Sequence, residues 1–222
     1  MTKEVRNLAA IAVIVVLIGI LGYFLYNQSS QKPVPADNDL TEALVREDSP
    51  VLGPQNAKVT IVEFLDPECE SCAEFAPAIK RVMKEFEGNT RLVVRYMPFH
   101  RNSRVAASYL EAAGEQGKYW EMMDKMFENQ DQWGEIHGPG PHPVRPEPVS
   151  LFEKWAAELG LDIEQLTASS KEKKHMEKVD RDFADGRKLG VRGTPTLYVN
   201  GRKLLRLDED SLRSLVAAEM KK

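Results

Sequence analysis

The run Val59 to Leu65 (VTIVEFL), closed by Asp66-Pro67 and followed at once by Cys69-Glu70-Ser71-Cys72, constrains this chain more than any other stretch. A short, mostly apolar, β-branched run ending in a turn pair predicts a buried strand. Beyond the cysteines, Phe75, Ala78, Ile79, Val82, Met83 and Phe86 recur at helical spacing as far as Gly88-Asn89, so a helix is predicted to begin at the cysteines. Arg91 to Met97 (RLVVRYM) reads as the next strand. A helix-length crossover leaves no tight hairpin, so the two strands must be parallel and the fold class is α/β.

The later sequence divides in two. From Ser103 to about Leu189 the apolar residues follow helical periods in pieces, Val105 to Ala113, Tyr119 to Phe127, Leu151 to Leu159 and a longer one from Ile163, which predicts an all-helical insertion at about 103–189. Within it, WGEIHGPGPHPVRPEP (Trp133 to Pro148) is too rich in Gly and Pro for helix or central strand and reads as a long surface loop. Thr196 to Val199 and Arg202 to Leu207 then flank Asn200-Gly201, a two-residue hairpin signal. Asp208 to Asp210 cap a last helix whose closing Lys221 and Lys222 suit the helix dipole. Trp120, Trp133, Trp155 and the Met122, Met123, Met126 group read as packing residues, and Lys171 to Lys174 as a solvated helix face.

Ahead of this domain, Leu8 to Tyr26 carries no charge over 19 residues, approaching the ~30 Å of a bilayer's hydrocarbon layer as a helix. Lys3 and Arg6 before it and Tyr23, Phe24 and Tyr26 at its end predict a cytoplasmic N-terminus and an aromatic outer interface. The expected layout is an anchor at 1–26, a polar tether at 27–39 and a folded domain at 40–222. The chain would be single-pass in the cytoplasmic (inner) membrane, its domain on the periplasmic side. A cleaved signal peptide is the rival, and it puts the domain on the same side. A net charge of -4 with no Lys/Arg-rich stripe argues against nucleic acid.

The chain has two cysteines, so it has neither a disulfide framework nor a four-thiolate metal site. Three positions apart at a helix start, Cys69 and Cys72 share one face within reach of a disulfide. Unpaired amides and the positive end of the helix dipole favour a thiolate on Cys69, the nucleophile, and Cys72, one turn deeper, would resolve the mixed disulfide. A structural bridge is the alternative, although so short a loop closes little chain entropy. Glu63 shares a strand face with Ile61 and Leu65; partly desolvated there, it would hold a raised pKa and carry the Cys72 proton, unless it faces solvent at an edge. In Gly193-Thr194-Pro195-Thr196, a proline enters a strand that must pair. A cis bond would resolve this and free a backbone group for an extended substrate, whereas an ordinary trans turn would not.

VEFLDPECESC (Val62 to Cys72), Pro77 and VRGTPTLYVNG (Val191 to Gly201) together resemble the thioredoxin superfamily. NSRVAASYLEAA (Asn102 to Ala113), GKYWEMMDKMFENQ (Gly117 to Gln130) and the Leu159 to Asp162 turn are similar to the helical insert of its DsbA-like branch, so the resemblance covers about residues 50 to 222. It implies a thioredoxin fold with an inserted helical subdomain, Cys69 attacking, Cys72 resolving, Glu63 as buried proton carrier, and a cis Pro195 with Thr194 lining the peptide site. Glu70-Ser71 stands where strongly oxidising members often carry Pro-His, which makes this pair the redox-tuning position and leaves the direction open.

The expected function is thiol-disulfide exchange with exported proteins, disulfide formation favoured, by a monomer that needs no cofactor or metal and is reset by a membrane redox partner. A reductase or isomerase on the same fold is the alternative within that chemistry. A copper carrier is the alternative outside it, with only His100 or His175 to supply a third ligand. The charges around Cys69 set a further expectation. Glu68 and Glu70, with Asp66 and Glu74 nearby, disfavour the thiolate, and no Lys, Arg or His between Asp66 and Ile79 offsets them.

Overall fold

The computed structural model describes residues 43–135, 145 and 147–222, all of them in the compact unit Ala36–Lys222. The expected anchor at Leu8 to Tyr26, the tether and most of the Pro/Gly loop lie outside the described residues. Among the described residues no helix is long and apolar enough to cross a membrane.

β1 (Val51–Leu52), β2 (Val59–Leu65), β3 (Thr90–Tyr96), β4 (Thr196–Val199) and β5 (Arg202–Lys203) form one sheet in the order β1-β3-β2-β4-β5. The parallel pair is β2 with β3, Ile61 beside Leu92 and Leu65 beside Tyr96, and the crossover between them is helix α1 (Glu70–Glu85). β4 runs antiparallel to β2, then turns through Asn200 and Gly201, at φ 46° and 80°, into β5. Both turn residues are left-handed, as the twist of a two-residue hairpin requires. β1, pairing antiparallel with β3, had no sequence counterpart, because two residues carry no alternation to read.

One sheet face packs α1 and the last helix against Val59, Ile61, Leu92, Leu197 and Val199; the opposite face buries Val62, Phe64, Val93 and Tyr198. The insertion comprises α2 (Ser103–Glu115), α3 (Tyr119–Glu128), α4 (Val149–Glu158), α5 (Ile163–Ser169) and α6 (Lys173–Lys188), and α7 (Glu209–Met220) closes the chain behind an Asp208 cap that accepts from the Ser211 amide. The insertion's apolar faces meet in a cluster that also contains Leu65, Cys69, Cys72 and Val94, so the helical subdomain roofs the end of the sheet that carries the two cysteines. Met122, Met123, Met126, Trp133 and Trp155 are all buried in it, and Trp120 packs at its margin. Trp133, the first residue of the predicted loop, is 1% exposed; its Nε1 donates to the Met126 carbonyl and its ring packs edge-on against Phe152.

Two expectations are corrected. The strand predicted from Arg202 to Leu207 stops at Lys203. The Leu204 amide still donates to the Leu197 carbonyl, but β5 is an edge strand with no outer neighbour among the described residues, and Leu205 and Leu207 beyond it are exposed. The single helix predicted from Ile163 is two, broken at Ser170–Glu172. There Ser170 Oγ bonds the Thr167 carbonyl, a local alternative to helical pairing, and the exposed Lys171 and Glu172 bury nothing that would hold the helix together. Lys171 to Lys174 is therefore a break and a new helix start rather than one helix face.

Candidate active site

The sheet delivers β2 to α1 through Asp66, Pro67 and Glu68, and Cys69 is the residue that caps α1. Its φ of -78° and ψ of 120° are extended, and no side chain caps the first turn, so the orphan amides and dipole of the helix end act on the Cys69 sulfur. Cys69 keeps 8% of its surface exposed and Cys72 none, so of the two only Cys69 retains any contact with solvent. Both are free thiols. The Cys72 thiol hydrogen-bonds the Cys69 sulfur and, against the opposing cost of burial, with Thr194 and the amides of Cys72 and Ser71 adding to it, brings Cys69 down to about 6. Burial, followed by that same bond to Cys69 and the charge on Glu63, pushes Cys72 well up. The two cysteines thus differ in environment: Cys69 keeps a little surface and favours the thiolate, whereas Cys72 is wholly buried and favours the thiol.

Glu63 lies mid-sheet, beside Val94 on β3 and Leu197 on β4, 2% exposed. This removes the edge reading. Its Oε1 is buried without a hydrogen-bond partner, and burial first, the Cys69 charge second, lift its carboxyl to about 8. Thr194–Pro195 is a cis peptide bond, not an ordinary turn, and the Cys69 sulfur sits 3.4 Å from the Thr194 carbonyl. Cys69, Cys72, Glu63, Thr194 and Pro195 therefore lie together at this end of the sheet. Glu70 is exposed and Ser71 also lies at the surface, on the outer side of the first turn.

The charge inventory drawn from neighbours in sequence lacks the burial and the partners of two of its acids. Glu68 is not beside the sulfur in water: it is 1% exposed, its Oε1 accepts from Asn102 Nδ2 at 2.8 Å and its Oε2 from the Asn102 amide. Burial raises its carboxyl even so, the Asn102 bonds opposing. Asp66 is fully buried. Its Oδ1 accepts from the Glu68 amide, and its Oδ2 from the Phe99 and His100 amides and pairs with His100 Nδ1 at 2.8 Å. A histidine does then stand on Asp66, three residues before Cys69, supplied by the segment after β3. Local sequence offered no signal for it, but topology did. In a parallel pair with Leu65 beside Tyr96, the residues following both strand ends must converge. His175, the other candidate copper ligand, bonds Ser169 Oγ through Nε2 at 3.0 Å.

A parallel β-α-β core with an added antiparallel hairpin, a CxxC at the crossover helix's N-terminus and a cis-proline loop facing it define a thioredoxin-like fold. The thioredoxin family model matches residues 46–218, and the chain belongs to that family. It is 31% identical over 209 residues to the Na(+)/H(+) antiporter NhaA of Herminiimonas arsenicoxydans, a match covering 91% of this chain and 31% of that protein. With Na(+)/H(+) antiporter NhaA 1 of Salinispora arenicola it shares 36% over 156 residues, 69% of this chain and 22% of that one. The chain thus spans less than a third of the length of these curated relatives. Among solved structures it resembles oxidised BdbD from Bacillus subtilis (25% identity, TM-score 0.67, covering 78% of this chain and 94% of that one). It also resembles a thioredoxin-like oxidoreductase from Silicibacter pomeroyi (27%, 0.67, 82% and 98%). The thiol-disulfide exchange protein alpha-DsbA2 of Wolbachia pipientis, at 20% identity, a TM-score of 0.66 and coverage of 82% and 92%, shares the fold.

Proposed function

We propose that this chain is a thiol-disulfide oxidoreductase acting on exported proteins through Cys69, with disulfide formation its favoured direction. The observation that carries the reading is the pairing of an accessible Cys69, its thiol brought down to about 6, with a fully buried Cys72 pushed well up. Such asymmetry is what an attacking and a resolving sulfur need, and a purely structural bridge has no use for it. In the oxidising direction a substrate thiolate attacks Cys69 Sγ of the Cys69–Cys72 disulfide, and Cys72 leaves as a thiolate and takes a proton from Glu63. A second substrate thiolate then attacks its partner sulfur in the mixed disulfide and releases Cys69 as a thiolate. Two electrons pass from the substrate pair to the cysteine pair. The reverse sequence, with Glu63 removing the Cys72 proton, reduces a substrate disulfide. Thr194 and Pro195, against Cys69, are the surface on which the substrate backbone would lie.

The domain is proposed to work as a monomer on the periplasmic side of the cytoplasmic membrane, anchored by Leu8 to Tyr26 and reset by a membrane redox partner. Relatives named as antiporters carry a matching segment inside much longer chains, which supports a thioredoxin-like domain held at a membrane.

Equilibration with mixtures of reduced and oxidised glutathione tests the activity and its direction. A Cys69 value near 6 lies between the ~7 of thioredoxin and the ~3.5 of DsbA. Since a thiolate-stabilised reduced form makes a stronger oxidant, the expected potential is clearly below DsbA's ~-120 mV and above thioredoxin's ~-270 mV. Glu70→His, which places a cation at the exposed position beside Cys69, is expected to raise it. No exchange with glutathione would end the reading, and a potential as low as thioredoxin's would make the chain a reductase.

A further inference from the structure

We propose that His100, clamped by Asp66, is the cation that stabilises the Cys69 thiolate: a positioning residue delivered by the β3–α2 loop, outside the CxxC motif. The inference rests on the redox reading of Cys69 above. Asp66 is the hinge of the arrangement. Its carbonyl accepts the Cys69 amide at 3.1 Å, tying it to the nucleophile's own turn, while its buried carboxylate gathers the Phe99 amide, the His100 amide and His100 Nδ1. The His100 amide also donates to Ser103 Oγ, which fixes the loop to the start of α2. Ring and backbone are therefore both held, and the imidazole has no freedom to leave the acid.

Among the described residues, the charges that act on this ring are Asp66 and Glu68 from the β2–α1 turn and Cys69 at the start of α1, and Glu135 acts in turn on Glu68. The neighbouring Arg101 pairs its guanidinium with Glu147. The Asp66 bond first, against the opposing effect of burial, and then the charges on Asp66, Cys69 and Glu68 together raise His100 to about 9. At neutral pH the ring is an imidazolium. A bare Asp66 carboxylate at this turn would oppose ionisation of Cys69; with the imidazolium on it, the pair no longer does. The coupling is reciprocal, since whatever the thiolate adds to the proton affinity of His100, the imidazolium must subtract from that of Cys69. Disulfide formation removes the sulfur's charge and so must release part of the His100 shift.

Titration of His100 by NMR in the reduced and in the disulfide-bonded full chain tests this directly. The expected result is a value near 9 in the reduced protein that falls by about one unit on oxidation, the size of a single close charge coupling. In folded His100→Gln the ultraviolet-monitored thiolate titration of Cys69 should move upward by a similar amount, and the glutathione potential should fall by about 30 mV, the equivalent of that tenfold change. A merely structural histidine would titrate identically in both redox forms, and that result, or an unmoved Cys69 in a folded His100→Gln protein, overturns the proposal. If the variant does not fold, the wild-type titration alone decides. Failure of the redox reading shows separately, as wild-type protein that does not exchange with glutathione at all.

Discussion

Glu63 faces Ile61 and Leu65 along its own strand and Val94 and Leu197 across the sheet, and no hydrogen bond reaches its Oε1. A carboxyl in such a place is held near 8 by burial, whereas in the unfolded chain it titrates near ~4.3. With the folded value raised, the protonated form is the one folding favours. Its stabilising contribution is fully present below ~4.3 and is lost as pH rises through 8. Glu63→Gln cannot ionise, so the reduced variant should be more stable than wild type by a few kcal/mol at pH ~9 and about equal to it at pH ~4. Urea denaturation at the two pH values measures the difference. Parallel pH profiles would mean that Glu63 is already ionised in the fold and cannot serve as the proton carrier. The residues of the redox pair were legible because helix spacing and a strand of known direction fix their neighbours within one turn. Asp66 with His100 and Glu68 with Asn102 were not, because each pair joins two turns 34 positions apart. Only the parallel register, Leu65 beside Tyr96, brings those turns together.

Elements with strong periodicity were read closely. β2 matches its predicted bounds, β3 is displaced by one residue, and α1 begins where the cysteines put its cap. The hairpin at Asn200-Gly201 formed because both residues tolerate a left-handed backbone. Elements that failed did so where packing, not pattern, decides: β5 lost its outer residues to an unpaired edge, and the helix from Ile163 broke where four polar residues, Ser169 to Glu172, interrupt its apolar stripe. The seat of α6 on the sheet is another contact that pattern does not reveal. At Gly186 an added Cβ would fall 2.3 Å from Met97 Sδ and 3.1 Å from Phe64 Cδ1, both side chains fully buried. Gly186→Ala should therefore cost about 1–3 kcal/mol of overpacking, read as a lower urea midpoint at unchanged slope. An unchanged midpoint would mean that Met97 has room to swing aside.

At the scale of the whole molecule, the first described residues are fastened to the domain by a buried ion cluster. Arg95, with no exposed surface, donates to Asp182 at 2.8 Å, to Asp185 at 2.7 Å and to the Ala43 carbonyl, and Arg46 pairs with Asp185 from the other side. The fold thereby holds Ala43 and Arg46 on β3 and α6. The mature protein should keep its N-terminus and require detergent for extraction. A mature N-terminus between Gly22 and Ser30, found by mass spectrometry, would instead make it an exported soluble enzyme. The central claim, that Cys69 attacks and Cys72 resolves, rests on the difference in exposure between the two residues, 8% against 0%. Cys72→Ser and Cys69→Ser forms, expressed in full length and recovered after acid quenching and thiol blocking, test it on non-reducing gels. The account predicts mixed disulfides with exported proteins for Cys72→Ser, where the complex forms and cannot be resolved, and none for Cys69→Ser, whose remaining thiol is buried and held protonated. Equal trapping by both variants, or by neither, would contradict it.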